Sequence, residues 1–208
     1  MTGICVIDYG VGNVGSILNM FRKIGADAFA SGNPEDVCKS DRLLLPGVGS
    51  YDFGMVQLAE RGLDVAVKDF AATGKPVMGI CLGMQLLGMS SEEGELPGLG
   101  LIPFDCKRFD FATMPDAADL KVPHMGWDTV ALKREDPLFV AVPEPQRYYF
   151  VHSYYVRCKC DDDVVAECEY GVTFAAAVKR GNVSGTQFHP EKSHRFGMCL
   201  MKNFAESA

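Results

Sequence analysis

The sequence is short of positive charge and has no long apolar segment. Twenty Lys and Arg stand against 27 Asp and Glu, which gives a net charge of −7. Lys and Arg do not cluster into the basic stripe that is typical of nucleic-acid binding proteins. No apolar run approaches the about 18 residues that a helix needs to cross a bilayer. We therefore expect neither a nucleic acid nor a membrane as a partner.

Motifs for metals and nucleotides are also missing. The eight cysteines include no Cys-x-x-Cys pair, and Cys158 and Cys160 have the wrong spacing for a zinc site. A Gly-x-Gly-x-x-Gly pattern spans 10–15, but the next predicted strand ends without the acidic residue that would bind a ribose. The sequence therefore predicts no metal and no organic cofactor.

The chain has 208 residues, no internal repeat and no linker-like stretch. This length fits one large domain, and we expect a single domain over residues 1–208. The first residues carry no basic segment followed by an apolar core, so a secretory signal peptide is not predicted. A cytoplasmic location is the resulting expectation.

Hydrophobic periodicity predicts an α/β fold. In the first half, apolar strands alternate with amphipathic helices, and a helical stretch between 53 and 73 is broken near Gly62. Repeated strand–helix–strand units indicate a mostly parallel central sheet flanked by helices on both faces. The segment 92–122 is rich in Gly, Pro and Asp and is predicted to be loop. Short strands and a last helix over 195–206 follow.

One strand leads into a candidate nucleophile. The apolar strand 77–80 runs directly into Cys81, which stands between Gly79 and Gly83 at the start of a predicted helix. Gly-x-Cys-x-Gly in this context has the pattern of a nucleophile elbow with cysteine in place of serine. The pattern predicts that Cys81 lies on a strained turn at the top of the sheet.

A cysteine nucleophile needs a base, and the base needs a group that orients it. His189 follows a predicted strand in the segment Gln-Phe-His-Pro-Glu-Lys-Ser. Glu191 stands two residues further on, where its carboxylate can fold back onto the imidazole. We therefore predict a Cys81–His189–Glu191 triad.

These two segments resemble the class I (triad) glutamine amidotransferases. Within that family, the segments Pro-Gly-Val-Gly-Ser (46–50), Pro-His-Met-Gly-Trp (123–127) and Phe-Val-His-Ser-Tyr (150–154) are similar to the branch of glutaminase subunits of imidazole glycerol phosphate synthase. The resemblance covers the whole chain. It implies the three-layer class I glutamine amidotransferase fold and a glutaminase that hydrolyses L-glutamine to L-glutamate and ammonia.

The resemblance also implies roles for single residues. Cys81 attacks the glutamine amide, His189 moves the proton and Glu191 orients His189. Backbone N–H groups of Leu82 and of Val48 or Gly49 form the oxyanion hole. The α-groups of glutamine are held by Gln85, Ser153 and Tyr154.

A partner follows from the same comparison, since the chain has no room for a domain that binds an ammonia acceptor. The resemblance implies a (β/α)8-barrel cyclase subunit as the heterodimer partner in histidine biosynthesis. Met125, Trp127 and Tyr149 are the expected interface residues.

Three alternatives remain open at this point, one of which is a non-catalytic binding or regulatory subunit, although the intact Cys81, His189 and Glu191 argue against it. Asp128 stands where the imidazole glycerol phosphate branch usually has Asn, and the 191–197 segment is similar to paralogues from surface-polysaccharide clusters, which supply ammonia to a sugar-modifying partner. A stand-alone cysteine hydrolase would share the nucleophile and base but would need no partner.

Overall fold

Thirteen β-strands and six α-helices form within residues 3–112 and 119–206, which are the residues that this computed structural model describes. The helices are α1 (Val14–Ile24), α2 (Pro34–Lys39), α3 (Tyr51–Glu60), α4 (Leu63–Ala72), α5 (Leu82–Leu86) and α6 (His194–Glu206). The strands are β1 (Ile4–Ile7), β2 (Ala28–Ser31), β3 (Arg42–Leu45), β4 (Val77–Ile80), β5 (Ser90–Ser91), β6 (Phe104–Arg108), β7 (His124–Thr129), β8 (Ala131–Leu132), β9 (Arg147–His152), β10 (Tyr154–Cys158), β11 (Val164–Tyr170), β12 (Val172–Arg180) and β13 (Val183–Thr186). None of the helices in these described ranges has the length and apolar character of a membrane span.

The central sheet is built from strands of both halves of the chain. Its parallel part has the order β2-β1-β3-β4-β13, so the last strand in sequence lies beside β4. The sheet continues through β12, β10 and β6 by antiparallel pairing. Strands β7 and β9 form a separate antiparallel ribbon. The predicted α/β class with a mostly parallel central sheet is confirmed.

Helices cover both faces of the sheet. In β1, Ile4 and Val6 face the apolar cluster that contains α1 and α6, whereas Cys5 and Ile7 face the cluster that contains α2, α3 and α4. This follows from the alternation of side chains along a strand that is buried on both faces. The three layers agree with the expected class I amidotransferase architecture.

Local sequence signals explain several element boundaries. The Asn13 side chain accepts a hydrogen bond from the Ser16 N–H at the start of α1, and Gly25 ends the helix in the left-handed region. Gly62 also has a positive φ of 67° and separates α3 from α4 at the predicted break.

Helix α2 and strand β6 are among the elements that the sequence did not predict. Helix α2 is only six residues long and begins at a proline, so its apolar periodicity is too short to read. Strand β6 lies in the segment predicted to be loop. Its buried residues alternate with charged ones, but this alternation is short and stands between Pro- and Gly-rich flanks that are typical of loops. Residues 113–118 of that segment lie outside the described residues.

Gly79 provides a test of how closely β4 and α5 approach. A Cβ atom at position 79 would lie 2.6 Å from the Gly83 carbonyl oxygen and 2.6 Å from the Met84 nitrogen, whereas a Cβ at Gly15 meets nothing within 4 Å. We expect Gly79→Ala to lower the free energy of unfolding by about 3 kcal/mol, because both clashing groups are backbone atoms. Gly15→Ala, the matched control within α1, should raise it by about 0.5–1 kcal/mol. Urea denaturation measures both, and a Gly79→Ala variant as stable as the wild type would contradict the packing.

Candidate active site

Cys81 lies on a strained turn between β4 and α5. Its backbone has φ 54° and ψ −113°, values that are costly for a residue with a side chain. The turn is held by the Cys81 N–H, which donates to the Thr186 carbonyl at 2.8 Å. The sulfur lies 3.9 Å from the Val151 carbonyl oxygen and 3.8 Å from Nε2 of Gln187. The geometry is that of a nucleophile elbow.

His189 is placed directly after β13 and is fixed on two sides. Its backbone N–H donates to the Tyr149 carbonyl at 2.9 Å. Its Nδ1 lies 2.8 Å from Oε1 of Glu191, and both side chains are only 1% exposed. Nε2 makes no hydrogen bond of standard geometry. The ring is therefore oriented through Nδ1, and Nε2 is the nitrogen left for proton transfer.

The environment favours the charged form of His189. Burial alone would lower its pKa, but the Cys81 and Glu191 side chains outweigh burial and raise the pKa to about 10. A protonated imidazole next to a sulfur nucleophile stabilises the thiolate and can protonate a leaving amine. The arrangement is thus suited to acyl transfer from an amide.

Cys81 and His189 open into one cavity of about 280 Å³. This volume lies near the lower end for ligand pockets and suits a molecule of amino-acid size. A larger hollow of about 640 Å³ lies elsewhere, along 132–141, and holds no cysteine or histidine. The cavity near Cys81 is lined by Val48, Gly49, Cys81, Leu82, Gln85, Glu93, Pro123, Val151, His152, Ser153, Tyr154 and His189.

The predicted oxyanion and substrate residues all border this cavity. The loop with Val48 and Gly49 is held against α5 by its preceding residues: a Cβ at Gly47 would lie 2.6 Å from the Gly83 nitrogen. The Tyr9 hydroxyl also donates to the Pro46 carbonyl at 2.7 Å. Glycine at 47 is thus required by close approach, and the loop borders the nucleophile. The donor role of Leu82, Val48 and Gly49 stays a prediction.

Gln85 is placed differently from a simple substrate ligand. Its Nε2 donates to the Tyr154 carbonyl and to Oε1 of Gln187, both at 3.0 Å. The amide nitrogen is therefore used inside the protein, and Oε1 is the atom of Gln85 that remains for a ligand. Oε1 is an acceptor and suits an ammonium group.

Four residues of the cavity were not singled out as site residues from the sequence. Pro123 and Val151 contribute wall, and Glu93 accepts a hydrogen bond from the Tyr51 N–H at 2.9 Å. Burial raises the pKa of Glu93. His152 stands among apolar and aromatic residues, a setting in the sequence that is typical of a structural histidine. Glu93 lies in the segment predicted to be loop, where spacing gives no sign of where a side chain will be.

The residues expected at an interface lie together on the β7–β9 ribbon. Met125 is 62% exposed and Trp127 37% exposed. The Trp127 ring stacks on His194 at 5.4 Å and contacts Tyr149 edge-on at 6.3 Å. Because Met125 pairs with Val151 of the cavity wall, this surface adjoins the cavity. Their role as an interface stays a prediction.

Within the described residues, no three His, Cys, Asp or Glu side chains come together in a way that could hold a metal ion. The absence of a cofactor stays a prediction from the sequence.

Comparison with known proteins identifies the family. The family model for class-I glutamine amidotransferases matches residues 5–208. The chain belongs to the class I glutamine amidotransferase family. It is 52% identical over 204 residues to the imidazole glycerol phosphate synthase subunit HisH 2 of Pseudomonas aeruginosa, covering 98% of each chain. It is 48% identical to HisH 2 of Methanococcus maripaludis, covering 99% of this chain and 100% of that one.

Solved structures share the fold at low sequence identity. A chain of the PurLQS structure from Thermotoga maritima matches with a TM-score of 0.73 at 19% identity, covering 97% of this chain and 96% of that chain. The glutaminase domain of Trypanosoma brucei CTPS matches with a TM-score of 0.67 at 14% identity, covering 100% of this chain and 95% of that chain. These likenesses concern the fold alone.

The charge state of His189 can be tested directly. By ¹⁵N NMR with labelled histidine, we expect the wild-type His189 ring to remain protonated until about pH 10. Cys81→Ala and Glu191→Gln should each move its titration to lower pH, because each removes one of the groups that raise the pKa. Asp128→Asn is the control, since Asp128 contacts His124 and not His189. An unchanged titration in both active-site variants would contradict the coupled triad.

Proposed function

We propose that this chain is the glutaminase subunit of an imidazole glycerol phosphate synthase, folded as a single domain over 1–208. It hydrolyses L-glutamine to L-glutamate and ammonia and passes the ammonia to a cyclase subunit. The observation that carries the proposal is the position of Cys81 on a positive-φ turn, in one small cavity with the buried His189–Glu191 pair. The names of full-length relatives at 48–52% identity support the same enzyme.

The reaction follows from the chemistry of the three side chains. The Cys81 sulfur attacks the side-chain carbonyl carbon of glutamine, and His189 delivers its proton to the nitrogen as ammonia leaves. Water, deprotonated by His189, then attacks the resulting thioester, which releases glutamate and regenerates the thiol. Glu191 keeps Nδ1 engaged so that Nε2 faces the reaction.

The oxyanion of each tetrahedral intermediate requires backbone donors. We assign these to Leu82 at the start of α5 and to Val48 or Gly49 in the loop tied to α5. Loss of one such donor typically costs about 10²–10³ in rate. A loop whose donor is completed only by a partner would therefore keep the isolated subunit slow.

The partner is proposed as a (β/α)8-barrel cyclase that forms a heterodimer with this chain. Free ammonia would be lost as ammonium at neutral pH, so the two active sites need a closed connection. The exposed Met125, Trp127 and Tyr149 surface next to the cavity is the proposed contact. We place the reaction in the cytoplasm, since all eight cysteines are free thiols and a reducing compartment preserves them.

The first test measures glutamate release from glutamine, with and without the cyclase and its nucleotide substrate. We expect slow hydrolysis by the chain alone, strong stimulation by the cyclase, and a loss to background in Cys81→Ala because the nucleophile is gone. Cys38→Ala is the matched control, since Cys38 is an exposed thiol on α2.

Hydrolysis that persists in Cys81→Ala would overturn the proposal. Hydrolysis that depends on Cys81 but ignores the cyclase would retain the glutaminase and refute the synthase assignment. A sugar-modifying enzyme would then be the partner to test, because Asp128 stands where the imidazole glycerol phosphate branch usually has Asn.

The interface assignment has its own test. Truncating Trp127 removes an aromatic anchor that interface hot spots typically use, so Trp127→Ala should raise the cyclase concentration for half-maximal stimulation by about 30-fold, leaving basal hydrolysis unchanged. Phe53→Ala serves as the control, because Phe53 is an exposed aromatic residue on α3, away from the β7–β9 ribbon. An unchanged titration curve for Trp127→Ala would place the partner elsewhere.

A further inference from the structure

The proposed reaction gives no role to two buried histidines, His152 in the cavity wall and His124 behind it. His124 is 2% exposed and His152 is 6% exposed. Nδ1 of His124 lies 3.1 Å from Nε2 of His152. His124 is stacked between the rings of Phe150 and Tyr170, with centroids 4.8 and 4.0 Å away. Packing fixes both rings, so the distance between the two nitrogens is fixed as well.

The neighbours of the pair allow one arrangement of protons. Nδ1 of His152 lies 2.8 Å from the Tyr154 carbonyl oxygen, which can only accept, so Nδ1 carries the hydrogen. Burial lowers the pKa of His152 to about 3, so at neutral pH its Nε2 has a free lone pair. Nδ1 of His124 must therefore donate to Nε2 of His152.

This chain of hydrogen bonds reaches the nucleophile on one side. The Tyr154 carbonyl that accepts from His152 also accepts from Nε2 of Gln85 at 3.0 Å. Gln85 in turn donates to Gln187, whose Nε2 lies 3.8 Å from the Cys81 sulfur. His152 and Gln85 thus share one acceptor beside the cavity, the Tyr154 carbonyl.

At its other end the chain approaches the surface. Nε2 of His124 lies 3.4 Å from Oδ2 of Asp128 on the same strand, β7. Asp128 is partly exposed and immediately follows Trp127 on the proposed contact surface. Burial lowers the pKa of His124, so with the hydrogen on Nδ1 its Nε2 is unprotonated and the chain of hydrogen bonds ends at His124.

We propose that His152, held by His124, is a positioning residue for glutamine binding: its Nδ1–H fixes the Tyr154 carbonyl and, through it, the Tyr154 backbone and the Gln85 amide. This inference rests on the proposed function. Both donors hold one oxygen, so the Tyr154 peptide cannot rotate and Gln85 keeps Oε1 for the ligand. Groups held in this way bind the α-groups of an amino acid without reordering.

The test uses two substitutions. One is expected to preserve packing but weaken glutamine binding, and the other to weaken packing but preserve glutamine binding. His152→Phe keeps a ring among the surrounding aromatic residues but removes the donor to Tyr154. His152→Asn leaves a cavity, yet its amide nitrogen can take the place of Nδ1 and donate to the Tyr154 carbonyl. We expect His152→Phe to raise the KM for glutamine about tenfold, with kcat within about twofold of the wild type. His152→Asn should keep KM near the wild-type value although its Tm is lower.

A purely structural role predicts the reverse. The less stable variant, His152→Asn, would then lose more total activity than His152→Phe, and KM would be unchanged in both variants. Either of those results would overturn the proposal. A measurement on the unmodified chain guards against variants that fail to fold: ¹⁵N NMR of the histidines at pH 7 should show His152 protonated at Nδ1 and not at Nε2. A proton on Nε2 would refute the chain of hydrogen bonds.

Failure of this inference is separable from failure of the proposed function. The rate at which iodoacetamide alkylates Cys81 depends on the thiol and His189, and it should be equal in the wild type and in both His152 variants. If Cys81→Ala abolishes glutaminase activity while His152→Phe leaves KM unchanged, the glutaminase stands and the positioning role is wrong.

Discussion

The site depends on a single parallel strand pairing, that of β4 with β13. Cys81 follows β4 and His189 follows β13, and the two lie far apart in sequence. The pairing brings the carboxyl ends of both strands to one edge of the sheet, where the Cys81 N–H donates to the Thr186 carbonyl at 2.8 Å. Open α/β sheets bind ligands at this edge, because loops from adjacent strands meet there. The nucleophile, the base and the small cavity all follow from this register.

Sequence reasoning located the features that local chemistry determines. The glycines at 79 and 83 predict a tight strand-to-helix turn, and the structure has that turn. A Cβ at 79 would clash with the backbone of α5, and a Cβ at 83 would clash with the Leu45 carbonyl at the end of β3. The His-Pro-Glu spacing predicts that Glu191 reaches the imidazole, and the two side chains are in contact. Apolar strands buried on both faces likewise predict the central parallel sheet. For the turn and for the His189–Glu191 contact, the required information lies in a few neighbouring residues.

The features that sequence reasoning missed depend on contacts between distant segments. Gln85 contacts Gln187 only because α5 and the end of β13 lie side by side. No residue spacing in the sequence predicts that the Gln85 amide nitrogen donates to another side chain of the protein. His124 and His152 meet through the register of β7 and β9, which pairs these two residues directly. Histidines among aromatic residues are commonly structural, so the contact of His152 with the Tyr154 carbonyl could not be predicted. Strand β6 was missed because three of its five residues are charged.

The backbone contacts of Tyr149 have a consequence for divergence within the family. Its carbonyl accepts from the His189 N–H, and its own N–H donates to the Ser193 hydroxyl, so the main chain of β9 supports the base. The Tyr149 side chain points instead to Trp127 and Lys192. A mutation at this position changes the outer surface and leaves both backbone bonds in place. Duplicated genes of this family could therefore acquire new docking preferences through such positions while inheriting an unaltered hydrolytic centre.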